Sequence, residues 1–405
     1  MLVARNEKGE WVSLVNNTNR VQLLGDREKH SYFCPACGEK LILKLGEKTC
    51  FHFAHYKDSP CQLQGEPETL THIHGKKAIY NWLKTQGETP ILEMYLNDIR
   101  QRADVGLQRF PFTLAFEFQC SSIPPSLLKE RDQGYRSQSI RPLWIWNHSR
   151  LKTIGNHLYA LSPLEWHTRR FPFTHPPHNH MQRQKGFLTF FDPTVQTLTF
   201  VYHLIPLNAR NLWAESLTLP LTELTLQSFL TPHLPLHPKP NWHPAWLNLK
   251  KRWRTSGIPR LNHFEWDLQR LSETKGVIWK AFPGVVGNPV GDDHVIEQPV
   301  YLWQGWLCLT FYLHKMKGDR ISLPEIKNAF LTLINKRWIV LSASSQVEEA
   351  WNLLVAYMNA LVTIRLLERA DLNTFVVKKP LQWGSPFFEE LIMEDKNVLL
   401  QWNQV

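Results

Sequence analysis

The chain has 405 residues, 43% of them hydrophobic, with 46 Lys and Arg against 36 Asp and Glu and a formal charge of +10. That length and apolar content suit two or three domains with cores of their own and exclude a small secreted disulfide framework. The excess of positive charge favours a polyanionic partner. The most apolar run, residues 351–367, carries Asn352, Asn359 and Arg365 and reads as a buried helix, so no membrane span is expected. Residues 1–25 lack the apolar core and small-residue cleavage pattern of a signal peptide, and a cytoplasmic protein is expected.

The first feature in chain order is Cys34-Pro-Ala-Cys37, followed by His52-Phe-Ala-His55. Two thiolates and two imidazoles close a tetrahedral site for Zn²⁺, which would be structural. Cys50 and Cys61 are alternative ligands. Cys120 and Cys308 lie in apolar runs and read as core thiols.

Next comes GEPETLTHIHGKK at residues 65–77. Pro67 suits a first helical position, where its missing N–H would be unpaired anyway. Glu68, His72 and Lys76 recur every fourth residue and share one face, while Leu70, Ile73, Ile79, Tyr80 and Leu83 supply an apolar one. Gly75 inside the run predicts a bend or a close neighbour. Gly87 predicts the stop.

Three strands are predicted after this helix, at 91–96, 102–108 and 112–120. In the third, Leu114, Phe116, Phe118 and Cys120 alternate with Thr113, Ala115, Glu117 and Gln119. Glu117 is a carboxylate between two phenylalanines, and Asp104 sits between Ala103 and Val105. Buried carboxylates are rare unless paired or bound to metal. A helix over 124–135 and an apolar strand over 142–146 follow. Helix, three strands, helix, strand is the core order of PD-(D/E)xK nucleases. In such a site Asp104 and Glu117, with Glu68, would hold one Mg²⁺ or Mn²⁺, a hard cation that takes carboxylate and phosphate oxygens.

The ordered set FCPACGEKL with HFAH, ETLTHIHGKKAI, RADV, AFEFQCSSI and KERDQGYRS ahead of LWIWN resembles the competence protein CoiA family of transformable Gram-positive bacteria. These motifs cover the first third to two fifths of the chain. The resemblance implies a zinc module before a nuclease-like domain, and a role in processing incoming DNA around recombination. It makes Arg131 and Tyr135, one helical turn apart, candidates for phosphate contact. The usual lysine two residues after the second acid is Gln119 here, which can orient water or phosphate but carries no charge. The same Gln stands in CoiA-like proteins and in some active restriction enzymes. Lys76 is a candidate for the missing cation, and His72 for a proton relay or phosphate contact.

Strands are expected again between 187 and 219, in GFLTFF, TLTFVYHLI and SLTLPL, extending the nuclease sheet. Ahead of them Arg169, Arg170, Arg183 and Lys185 surround Phe171 and Phe173 and could hold a nucleic-acid strand. HPPHNH at 175–180 reads as a polar loop. A Pro-rich stretch, 231–244, marks a boundary. Beyond it Lys250, Lys251, Arg252, Trp253 and Arg254 interleave charge with an aromatic, the mixture that phosphate neutralisation and base stacking need. The same pattern also fits an amphipathic helix with Trp inward and cations outward. The remainder is expected to be mainly helical.

The expected organisation is an α/β (α+β) chain: a zinc-finger-like module over 1–64, the nuclease-like domain over 65–225 and a helical domain over 226–405. The expected function is metal-dependent DNA hydrolysis in transformation. Alternatives are a DNA-binding recombination accessory that keeps the fold as a platform, or a protein-binding scaffold of the uptake machinery. DNA is the expected partner, single-stranded, duplex or branched, with competence or recombination proteins beside it.

Overall fold

A computed structural model describes residues 1–15, 19–46, 51–57, 59, 61, 69–171, 186–235, 242–255, 263–343 and 345–402. Glu68, Pro67, Cys50, the HPPHNH segment, Arg183 and Lys185 lie outside the described residues. The chain divides into two units. The first comprises Met1–Leu151, Leu188–Val201 and Ser216–Leu234, and the second Lys152–Phe187, Tyr202–Glu215 and Pro235–Val405.

The first unit opens with β1 (Val3–Asn6), β2 (Trp11–Ser13), α1 (Arg20–Lys29), β3 (Tyr32–Phe33), β4 (Lys40–Lys44) and β5 (His52–His55). These five strands form a sheet in the order β2-β1-β3-β4-β5. Leu41, Leu43 and Phe53 point to its buried side, one on every second residue, as a half-buried sheet requires.

The predicted core follows as α2 (Leu70–Thr85), β6 (Ile91–Leu96), β7 (Gln101–Arg109), β8 (Phe112–Gln119), α3 (Pro125–Ser137) and β9 (Ile140–Asn147). Helix α2 begins at Leu70, where the Thr69 side chain caps it by accepting from the His72 N–H. Its end falls where predicted, with Gly87 in the left-handed region at φ 77°. Gly75 marks a close approach: a methyl group there would run into the Phe118 ring. Strands β6, β7 and β8 are antiparallel, and β9 is parallel to β8 from Thr113↔Ile140 to Gln119↔Trp146. A parallel neighbour needs a crossover, and α3 supplies it.

The later strands are β10 (Lys152–Gly155), β11 (Leu158–Ala160), β12 (Phe187–Asp192), β13 (Thr197–Pro206) and β14 (Asn211–Pro220). They extend the sheet as expected, in the order β10-β11-β14-β13-β12-β9-β8-β7-β6. The units cut the chain differently from the expected boundaries at 65 and 226. Ile205, Leu207 and Trp213, on the far parts of β13 and β14, belong to the large core of the second unit.

That second core gathers Trp246, Trp303, Phe330 and Tyr357 from helices His243–Thr255, Val300–Leu307, Leu323–Asn335 and Val347–Thr363, with Tyr312 from the turn that follows the second of these. A three-stranded sheet of Arg320–Ser322, Thr374–Val377 and Leu367–Arg369 accompanies them. The region is mainly helical, and its 300–307 helix runs on into a π-type turn at Cys308–Tyr312. Among the described residues no helix is long and apolar enough to cross a membrane.

Candidate functional site

Asp104 on β7 and Glu117 on β8 flank the register pair Val105↔Phe116, so they are neighbours across two adjacent strands. Both are buried. They are served by two different helices. One is α2, whose His72 ring stacks on Phe118. Asp104 Oδ2 accepts from the Phe118 N–H at 2.9 Å and lies 3.0 Å from His72 Nε2. Lys76 Nζ is 3.9 Å from Asp104 Oδ1. Burial opposes ionisation of Asp104, yet His72, by charge and hydrogen bond, together with Lys76 and the Phe118 N–H, holds its carboxyl down at about 2.

The other is α3. Glu117 Oε1 accepts from Arg131 Nη2 at 2.6 Å and from the Tyr135 hydroxyl. Arg131 also donates to the Arg102 carbonyl at 3.3 Å, and its guanidinium lies 5.6 Å from the centroid of the Trp144 ring. Burial pushes the Glu117 carboxyl up to about 7; Arg131 and Tyr135 pull it down, and the Asp104 charge pushes it further up. Two adjacent carboxyls whose proton affinities are driven apart mark a site suited to acid–base work or to a cation. Arg131 and Tyr135, expected at phosphate, thus reach Glu117 itself. Gln119 at the end of β8 donates from Nε2 to the Ser121 carbonyl at 3.0 Å.

Lys76, expected to supply the missing cation, is fully buried and donates to Glu93 Oε1 at 2.6 Å. Glu93 is a site residue that the sequence reading missed. It accepts the N–H groups of Leu2 at 2.9 Å and Val3 at 3.2 Å, tying β1 of the front module to the acidic pair. Its φ is 51°, a conformation that residues other than glycine rarely hold and that clusters at functional sites. The missed signal was a carboxylate between Leu92 and Met94 in an apolar strand, the same signal that picked out Glu117.

In the front module, Cys34, Cys37, His55 and Cys61 bring their ligand atoms within 4.8 Å of one another. His52 is not among them, which corrects the expected set. Residues three apart in a strand face opposite ways, so β5 can offer only one of its two histidines. Cys61, one of the two alternatives, completes the set, and Cys50 lies outside the described residues. Burial raises the Cys34 and Cys37 thiols, and burial with the Arg102 charge lowers the His55 imidazole. Three sulfurs and one imidazole nitrogen form a donor set that suits zinc.

Two expected nucleic-acid surfaces need correction. In the helix His243–Thr255, Lys250, Trp253 and Arg254 face inward, and of the five residues 250–254 Lys251 and Arg252 are the exposed ones. The reason is charge pairing: Arg254 and Lys250 both reach the buried Asp395, and Trp253 stacks on Tyr301. Arg169 pairs with Asp292 at 2.8 Å, and Arg170 is buried over the Phe187 ring. Both are committed within the fold.

An αβββαβ core with an acidic pair on adjacent strands, preceded by a Cys₃His cluster of a kind that could hold zinc, is the architecture of a nuclease-like protein. Residues 15–64, 68–234 and 242–390 match the N-terminal, nuclease-like and C-terminal domains of competence protein CoiA. The chain is 29% identical over 381 residues to competence protein CoiA of Bacillus subtilis (strain 168), covering 92% of this chain and 96% of that one. The chain belongs to the CoiA family. No solved structure matches it.

Proposed function

We propose that this chain is a cytoplasmic, metal-dependent DNA nuclease of natural transformation, acting on incoming DNA or recombination intermediates. The observation that carries this reading is the pair of buried carboxylates, Asp104 and Glu117, on neighbouring strands of a nuclease-like core. Their donors fit Mg²⁺ or Mn²⁺: hard oxygens, buried, with the Asp104 charge already raising the Glu117 carboxyl. A bound divalent cation would supply an activated water and charge neutralisation at the phosphate.

The chain's own residues do the rest. His72 fixes the orientation of Asp104, and Glu93 fixes Lys76 beside it. Arg131 and Tyr135 hold Glu117 aligned until a cation competes for it. Gln119 can turn its amide toward water or phosphate. Glu68 remains a candidate third ligand on sequence grounds.

Purified protein should cleave labelled single-stranded, duplex or branched DNA with Mn²⁺. Asp104→Ala and Glu117→Ala should abolish cleavage while leaving affinity within a few fold, since cationic surface supplies most affinity. A fully active Glu117→Ala protein overturns the reading. One observation favours a second reading, a DNA-holding platform with little turnover: Glu117 already has two protein donors. That reading requires binding without cleavage under every metal tried.

A further inference from the structure

In nucleases with the Asp…Glu-x-Lys pattern a cation stands two residues past the second carboxylate, where this chain has Gln119. Charge that develops on a scissile phosphate still needs a positive partner. Lys76 is buried against Glu93, and Arg131 donates to Glu117. The end of β9 supplies another cation. Arg150 closes the short turn His148–Arg150 directly after that strand.

Gln119 and Trp146 are register partners in the parallel β8–β9 pair, as are Glu117 and Trp144. Register partners on neighbouring strands share a face, and residues two apart share it again. Arg131 lies over Trp144 while it binds Glu117, which identifies that face. The Arg150 guanidinium is 4.8 Å from the centroid of the Trp146 ring, the ring beside Gln119. Its Nη1 donates at 3.0 Å to the neutral Ser122 hydroxyl, in the segment leaving β8. Asn147 Nδ2 reaches back to Cys120 Sγ at 3.7 Å, so the two strand ends stay together. The Cys120 thiol, pushed up to about 11 chiefly by burial, is raised further by Asp104 and lowered by Arg150. The acid and the arginine therefore act on one neighbourhood.

We propose that Arg150 is the phosphate-binding catalytic residue of this site and takes the place of the lysine that Gln119 displaces. The proposal rests on the nuclease reading above. Arginine suits the task, because its planar fork meets two phosphate oxygens at once and its position on an indole ring fixes the fork's plane. In the hydrolysis, a water oxygen bonds to phosphorus and loses a proton to solvent. The bond from phosphorus to the leaving sugar oxygen breaks with its electron pair, and that oxygen takes up a proton. Arg150 gives hydrogen bonds throughout and transfers no proton.

The test uses full-length protein with Arg150→Gln, alone and combined with Gln119→Lys, and with Asp104→Ala as the zero. With Mn²⁺ and a labelled single strand, Arg150→Gln should lower kcat by roughly 10²–10³-fold and change KM by a few fold at most. Adding Gln119→Lys should recover at least about tenfold, the signature of a charge supplied from a neighbouring position. With Ca²⁺ in place of Mn²⁺, the salt dependence of oligonucleotide binding should lose about 0.7 from its log–log slope, one phosphate contact on a single strand. Wild-type rate and slope in Arg150→Gln overturn the proposal. If wild type cleaves no better than Asp104→Ala, the nuclease reading fails, and the slope alone decides whether Arg150 holds phosphate. Should the glutamine variant not fold, Arg150→Lys carries the test. It should keep the slope but lose about tenfold in rate, because a point charge cannot replace the fork; an unchanged rate overturns the proposal.

Discussion

In the second unit, the buried Asp395 receives Arg254 Nε and Nη2 at 2.8 and 2.7 Å and Lys250 Nζ at 2.8 Å. In the first unit, the buried Asp104 and Glu117 meet His72, Lys76, Arg131 and Tyr135. Both places set buried carboxylates against Lys and Arg, and the bonding differs. Around Asp395 the donors left over go to backbone carbonyls: Lys250 to Gly284, and Arg254 to Lys280 and Phe282. That network closes on itself. On the two neighbouring strands the two carboxyls are driven apart, one down to about 2 and the other up to about 7. A closed network holds a fold together, whereas a carboxyl pair with divided proton affinities is the arrangement that the proposed chemistry requires.

The largest effect that would break this comparison comes from the front module, because β1 of that module holds Glu93. Structural zinc contributes apparent binding energies of about 10–16 kcal/mol in small modules. Cys37→Ser with Cys61→Ser should lose about one equivalent of zinc and the cooperative unfolding of the first unit. His52→Ala should keep the metal. Metal analysis of protein purified without chelators checks both, and finding no zinc in wild type refutes the assignment. Next in size is Asp395→Ala. It leaves two buried cations without their carboxylate and should cost about 3–5 kcal/mol in denaturant unfolding. A change below 1 kcal/mol would deny the Asp395 network its structural role.

The core order was legible because its signals are local. Alternation marked β6 to β8, and carboxylates inside apolar strands marked Asp104 and Glu117. The errors arose where tertiary contacts decide. His52 and His55 have a spacing that looks like a zinc motif, but in a strand it separates the two rings. The segment from Lys250 to Arg254 reads as a basic surface until Asp395, 141 positions away from Arg254, is brought against it. Glu93 was passed over because its partners, Leu2 and Val3, come from another module. The helix start at Leu70 is set by the Thr69 hydroxyl, which accepts the His72 N–H, while Pro67 lies outside the described residues.

A smaller effect separates the two carboxyls of the pair by sign. Folding raises Glu117 from its usual 4.5 to about 7, so the folded chain holds the extra proton between those values. Stability therefore falls as pH rises through that window, and the charged form burdens the fold above it. Glu117→Gln should raise the melting temperature at pH 8, with the advantage over wild type shrinking toward pH 4.5. Asp104 is depressed from 3.8 to about 2, so its contribution is present above 3.8 and is lost as pH falls through 2. Asp104→Asn should destabilise by about 2 kcal/mol at pH 7 and converge on wild type in acid. Melting curves across pH check both. If both variants destabilise alike at pH 8, the pair is structural in the manner of Asp395.

The smallest expected effect lies on the outer face of the helix His243–Thr255. Lys251 and Arg252 are its exposed cations, and their neighbours in sequence are committed to Asp395 and Tyr301. Lys251→Ala with Arg252→Ala should change stability by no more than about 0.5 kcal/mol, as surface substitutions away from networks do. DNA binding should keep its salt dependence, because a phosphate-tracking groove needs several cations beside a stacking ring, and here the ring and two of the cations face inward. Each true phosphate contact would carry roughly 0.7 to 0.9 of the log–log slope. A fall of about 1.4 to 1.8 in the double variant would return this helix to the DNA surface. An unchanged slope leaves the strand-end cations of the first unit, Arg150 foremost, to account for it.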